Sequence, residues 1–189
     1  MERNKYYDAI VTEIEFEMTF KYPRIAITGL PGAGKTTLAK LLLVDREKCY
    51  NSYTVNREYA FVHGDEILPN NIVKVCRVLD KFVAEHFCIA DLMAKELLPP
   101  IDLIVLLDIP EDICRERIKL RGNHQVQTPL SFQMLRKEML DSLKLLSDKG
   151  VTIVSINEQD ETFIHQQKLI GLELMNYLLE NGKLCNDIV

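Results

Sequence analysis

With 189 residues, 47% of them apolar and 27% charged, the chain can build one compact domain around a core of its own. An excess of acids (28 against 23 basic residues, net charge −5, pI near 5.4) argues against a dedicated nucleic-acid or anionic-membrane surface. No apolar run approaches the roughly 20 residues that a membrane span needs, and the first residues lack the apolar stretch of a secretion signal. Five scattered cysteines (Cys49, Cys76, Cys88, Cys114, Cys185) without a C-x-x-C pair read as reduced thiols, so the expected location is cytoplasmic.

Residues 1–22 admit two readings. Ile14, Phe16, Met18 and Phe20 alternate with polar residues as in a strand, while Tyr7, Ile10, Val11, Ile14 and Met18 fit one face of a helix. The segment is taken as an appendage on the edge of a domain spanning residues 23–189. Arg24-Ile25-Ala26-Ile27-Thr28 predicts the first buried strand. It runs into Gly29-Leu30-Pro31-Gly32-Ala33-Gly34-Lys35-Thr36-Thr37, whose first eight residues spell G-x-x-x-x-G-K-T, the phosphate-binding loop. Glycines let consecutive backbone N–H groups turn inward as an anion nest, and the helix that follows points its positive end at the same place. Lys35 would reach the β- and γ-phosphates of ATP, and the Thr36 hydroxyl would ligate Mg²⁺.

A helix over residues 35–46 is followed by a polar, irregular stretch to residue 57. Residues 58–63 predict a second strand ending at Gly64-Asp65-Glu66. Asp65 at that end is a candidate to take a proton from, or hydrogen-bond to, a hydroxyl acceptor; the alternative is a helix cap. From Pro69 the apolar stripe Ile72, Val75, Cys76, Leu79, Phe82 and Val83 predicts one long helix. Residues 86–91 stay open between the end of that helix and a short third strand. If a strand ends at Asp91, its carboxylate would hold a Mg²⁺-bound water; within a helix it is a surface acid. Tyr50, Tyr53 and Tyr59 are candidates for stacking on a base, though a tyrosine near a strand more often packs. His63, His86, His124 and His165 lack metal-ligand spacing and receive no role.

Leu103-Ile104-Val105-Leu106-Leu107 between Asp102 and Asp108 predicts a fully buried strand. The catalytic Glu of a motor ATPase does not follow it; Ile109 and Pro110 do. Pro110-Glu111 then opens a helix that Gly122 ends. On it Arg117 and Arg121, four residues apart, share a face and are candidates to clamp phosphoryl oxygens, as against a solvated basic face near a helix end. Residues 123–128 form a polar loop. An amphipathic helix follows (Phe132, Leu135, Met139, Leu143, Leu146), then a buried strand over residues 151–156, a loop over 157–161 and a last helix over about 162–180. Strands alternating with helices predict an α/β fold of three layers, a mostly parallel sheet between helices.

The loop at residues 29–36, with Thr37-Leu38-Ala39-Lys40 after it, resembles that of the P-loop kinase superfamily. So does the run from Asp102 to Glu111 continued by Cys114-Arg115-Glu116-Arg117-Ile118-Lys119-Leu120-Arg121-Gly122. The likeness is greatest to deoxynucleoside and thymidylate kinases. It implies an ATP- and Mg²⁺-dependent kinase that moves the γ-phosphoryl group to a small acceptor, a nucleoside or nucleotide first of all. It also implies a short lid around residues 115–130 in which Arg117 and Arg121 flank the phosphates. That group ends its third strand in an acid followed by arginine, and neither Asp65-Glu66 nor Asp91-Leu92 supplies the pair. Gly64-Asp65 is closer to the second-strand motif of kinases acting on sugars or polynucleotide ends. An N-K-x-D motif placed to read a guanine is absent, which disfavours a GTPase switch. The partners expected are ATP and a small-molecule acceptor, without membrane or nucleic acid; a homodimer is left open.

Overall fold

The computed structural model describes residues 21–45, 54–55, 59–63, 69–122 and 129–184. The readings for residues 1–20, Tyr50, Tyr53, Asp65 and the lid loop at 123–128 lie outside the described residues. Strand β1 (Arg24–Gly29) forms the middle of the main sheet because both its faces and both its edges are covered. Ile25 and Ile27 enter one apolar cluster and Ala26 the other, the period of two that an extended chain imposes. Its edges pair in parallel with β5 (Phe82–Glu85) and β6 (Leu103–Asp108).

Beyond β5 lies β4 (Ala60–His63), and beyond β6 lies β7 (Thr152–Asn157), both parallel to their neighbours. The short β8 (Lys183–Leu184) closes the β7 edge antiparallel, giving the order β4-β5-β1-β6-β7-β8. Two-residue strands β2 (Val44–Asp45) and β3 (Thr54–Val55) pair separately.

Seven helices are present among the described residues. On one face, α1 (Lys35–Leu42) and α7 (Gly171–Asn181) bury Leu38, Ala39, Leu42, Leu174, Met175 and Leu178 against the odd positions of β1 and its neighbours. On the other face, α2 (Pro69–Val78), α3 (Ile89–Ala94) and α5 (Pro129–Asp148) bury Ile72, Cys76, Ile89, Ala90, Met139, Leu143 and Leu146. The first face also carries α4 (Glu111–Leu120), directly after β6, and α6 (Glu158–Gln167), directly after β7, which bury Cys114 and Ile164 in the same cluster as α1 and α7. The layers are those expected from the alternation of strands and helices.

Two elements depart from the sequence reading. The helix from Pro69 stops at Val78, and Phe82–Glu85, expected partly as its continuation, is strand β5 between β1 and β4. Four residues buried on both sides carry no helical or strand period, so their local pattern is silent. The open edge of β1 decides. The last helix begins at Glu158 rather than Thr162 and breaks at Lys168, which adopts a left-handed conformation (φ 53°, ψ 40°). Asn157 accepts from the backbone N–H groups of Gln159 and Asp160 while Asp160 accepts from the N–H of Asn157. This reciprocal cap makes a helix start of the predicted loop.

Candidate active site

The carboxyl ends of the parallel strands meet at one rim, carrying Gly29, His63, Glu85, Asp108 and Asn157. The chain leaves β1 toward β4 and β5 on one side and reaches β6 and β7 on the other. The crevice at such a reversal is where open α/β sheets bind ligands. The loop from Gly29 to Thr36 occupies it.

Gly29, Gly32 and Gly34 all have positive φ (150°, 85° and 103°), and Gly34 is the left-handed residue that starts α1. Close packing adds a second reason for glycine. A Cβ on Gly32 would collide with the carbonyl oxygen of Cys114 in α4, and one on Gly34 would come within 2.8 Å of Glu161 Oε1 in α6. Among the described residues no side chain caps α1, and its first turn holds no acid. The dipole of a helix with no acid in its first turn favours an outside anion at that end. Lys35 folds back over the loop, its Nζ donating to the carbonyl of Leu30 at 3.1 Å.

On the β5 side, the Thr36 hydroxyl donates to Oε1 of Glu85 at 3.2 Å, and His63 Nδ1 stands 2.8 Å from the same oxygen. Glu85 is 2% exposed, a carboxylate almost wholly removed from water. Burial of that kind is sustained only by donors placed around the charge. The sequence reading missed Glu85 because it missed its strand. The signal was present: Asp80-Lys81 as a turn, then a short apolar run ending in an acid.

Asp91, the acid expected at a strand end, lies instead within α3. There its partly buried carboxylate pairs with the exposed Lys95 Nζ at 2.7 Å, one helical turn on. Strand β5, the third of the parallel strands in chain order, ends in Glu85 with His86 next, so an acid without a following arginine holds that position. The residues after it are pinned: Thr28 Oγ1 donates to the carbonyl of Phe87, and the N–H of Cys88 donates to His86 Nδ1. Burial pushes the Cys88 thiol up to about 11. Tyr59 is buried in the core, its hydroxyl donating to the carbonyl of Tyr22, so it packs rather than faces the loop.

On the β6 and β7 side, Arg117 is brought to the loop by the close approach of α4 to Gly32. Its Nη1 donates to the carbonyl of Ala33 at 3.4 Å, and both terminal nitrogens donate to Glu161 Oε2 at 3.0 Å. A guanidinium held this way keeps its plane fixed while sharing its charge with a carboxylate. Arg121 caps the end of α4 and is exposed. Arg136 of α5 stands 2.7 Å from Asp108 Oδ1, an ion pair that ties α5 to the end of β6.

A divalent cation would find the Thr36 hydroxyl and the Glu85 carboxylate here, both hard oxygen donors. Among the described residues no group of three or more His, Cys, Asp or Glu could hold a metal alone. The pair fits Mg²⁺, which typically takes one or two carboxylates, waters and substrate phosphates. Also among the described residues, no helix is long and apolar enough to cross a membrane.

A family model described as an AAA domain matches residues 25–141. Two similar proteins carry the name "Putative adenylate kinase". The one from Pyrococcus abyssi is 28% identical over 144 residues, 73% of this chain and 76% of that protein. The one from Methanocaldococcus jannaschii is 32% identical over 139 residues, 67% of this chain and 72% of that protein. An adenylate kinase of Encephalitozoon cuniculi is 28% identical over 116 residues, 52% and 66% of the respective chains. The matched stretch at 25–141 includes Lys35, Thr36, Glu85, Arg117 and Arg121 but ends before Glu161.

Proposed function

Because the chain belongs to the P-loop nucleotide kinase superfamily and is a phosphotransferase of that kind, we propose that it transfers the γ-phosphoryl group of ATP to a nucleoside monophosphate, adenylate foremost. The observation that carries this is the uncapped, acid-free start of α1 under three positive-φ glycines, with Lys35 above it and the Thr36–Glu85 pair beside it. The names of the relatives point to adenylate among the acceptors.

The loop amides and Lys35 hold the β- and γ-phosphates, and Lys35 leaves the Leu30 carbonyl to do so. Thr36 and Glu85 hold Mg²⁺ with the nucleotide, and that ion, when bound, neutralises charge on the phosphate oxygens. Arg117, fixed against the loop by Glu161, steadies the donor from the lid side, and Arg121 closes over the phosphates within a lid around residues 115–130. Asp65 is assigned to the acceptor side. Little covalent chemistry falls to the protein; its work is positioning and charge neutralisation.

The test is ADP formation from ATP with a panel of nucleosides, nucleoside monophosphates, sugars and 5′-hydroxyl oligonucleotides, in wild type and Lys35→Ala. Turnover dependent on a monophosphate, lowered at least about a hundredfold in the variant, is expected. ATP hydrolysis that no acceptor stimulates would sink the kinase reading in favour of an ATPase. Wild-type turnover in Lys35→Ala would remove the lysine from the mechanism.

A further inference from the structure

His63 received no role from sequence spacing, yet the fold sets it against the buried carboxylate of Glu85. It ends β4 in register with Glu85 at the end of β5, so the two side chains leave adjacent strands on one face of the sheet. Its Nδ1 approaches Glu85 Oε1 at 2.8 Å, the oxygen that also accepts from Thr36. The ring stacks on Phe61, two residues earlier on the same strand face, with centroids 5.5 Å apart and planes 29° apart. The imidazole is thus partly buried, set against an aromatic neighbour, with its Nδ1 on Glu85 Oε1.

A glutamate's terminal torsion is broad and roughly two-fold, so a buried carboxylate can turn unless fixed donors hold it. The Thr36 hydroxyl rotates, so it fixes the carboxylate less firmly than a rigid donor does. A ring fixed by stacking is a rigid donor: its Nδ1–H sets which Glu85 oxygen faces the loop and in which plane. With Glu85 held, the Thr36 hydroxyl keeps its hydrogen on the carboxylate and its lone pairs free for a cation. From this geometry we infer that His63 is a positioning residue for the donor site. It holds Glu85, and through Glu85 the Thr36 hydroxyl, in the arrangement that receives Mg²⁺ with the nucleotide. The inference rests on the kinase reading above, and concerns a residue that touches neither substrate nor metal. Supporting partners of this kind are typically worth ten- to a hundredfold in metal affinity.

The test is equilibrium binding of a fluorescent, non-hydrolysable ATP analogue as Mg²⁺ is titrated, and again in EDTA, with melting temperatures alongside. The proteins are wild type, His63→Phe and His63→Asn. Phenylalanine keeps the stacking surface but removes the donor; asparagine places an amide N–H near the position of Nδ1. In His63→Phe the Mg²⁺ concentration for half-maximal binding is expected to rise about tenfold or more, with affinity in EDTA within about twofold of wild type. His63→Asn is expected to recover most of the loss. If His63→Phe does not fold, His63→Gln, whose amide lies nearer the position of Nε2, takes its place with the same expectation. An unchanged Mg²⁺ requirement, with or without a lower melting temperature, would overturn the inference. So would equal loss in the Phe and Asn variants. These outcomes leave the kinase reading standing provided that wild type responds to Mg²⁺. A wild type that binds the analogue equally with Mg²⁺ and with EDTA would overturn both.

Discussion

The two flanks of the phosphate-binding loop are built differently. On the β5 flank, Thr36, Glu85 and His63 hang on strand ends and the first turn of α1, and the central carboxylate is 2% exposed. On the other flank, Arg117 and Glu161 come from two helices, α4 and α6, and their side chains are 32% and 12% exposed. Neighbouring strands are locked residue against residue by the parallel ladder, as His63 is to Glu85. The helices meet only through side chains and the glycine gaps that let them approach. A buried strand-end carboxylate is costly to disturb, because any lost donor leaves charge out of water. A pair with one partner a third exposed is less costly to part, since water reaches the guanidinium. The first flank is held by the sheet ladder; the second is held by side chains alone.

The difference can be broken by substitution. Glu85→Ala is expected to cost about a hundredfold in kcat/KM and to raise the Mg²⁺ requirement, measured by coupled assay across a Mg²⁺ series. Asp91→Ala, which removes the acid that sequence reading placed at the metal, should stay within about twofold. Reversal of that order would return the role to Asp91 and α3.

Arg117→Ala should have a smaller effect, about tenfold in KM for ATP with kcat less affected, because the guanidinium positions the donor and Glu161 already shares its charge. Glu161→Ala frees Arg117 without removing it, so KM should rise less than in Arg117→Ala. A larger loss from Glu161→Ala than from Arg117→Ala would mean that the carboxylate itself contacts the nucleotide.

The smallest effect separates core from rim. Burial pushes the thiols of Cys76, Cys88 and Cys114 up to about 11 from an ordinary value near 9.0. In the unfolded chain they lose protons first, so the stability they contribute is fully present below pH 9 and is lost as pH rises toward 11. Denaturant midpoints should fall across that window, and iodoacetamide should label these thiols in the native protein at pH 8 only slowly. Rapid native labelling of Cys88 would show that the turn after β5 opens, and that this flank is less rigid than its neighbour geometry implies.

Much of the donor side was legible in the chain. The glycine spacing, the apolar run before it and the α4 arginines are local patterns, and local patterns survive without a fold. Phe82–Glu85 was not legible, because four residues buried on both faces carry no period, and Glu85 was lost with them. Of the two readings open for residues 86–91, the strand ending at Asp91 is not the one formed: with β5 unrecognised, the next acid in the chain stood as a candidate strand end. The start of α6 was missed although Asn157 and Asp160 spell its cap, because the apolar signal of that helix is thin.

By itself the sequence determined a three-layer α/β chain with a nucleotide phosphate loop at the end of its first strand. Spacing of glycines and alternation of apolar runs depend only on neighbours in the chain. Only tertiary structure decided which acid faces Thr36, that His63 stands behind it, and that Arg117 is tied to Glu161. Those pairings join residues 22 to 49 positions apart in the chain. They are set by the order in which strands close on β1 and by how near two helices can come to glycine.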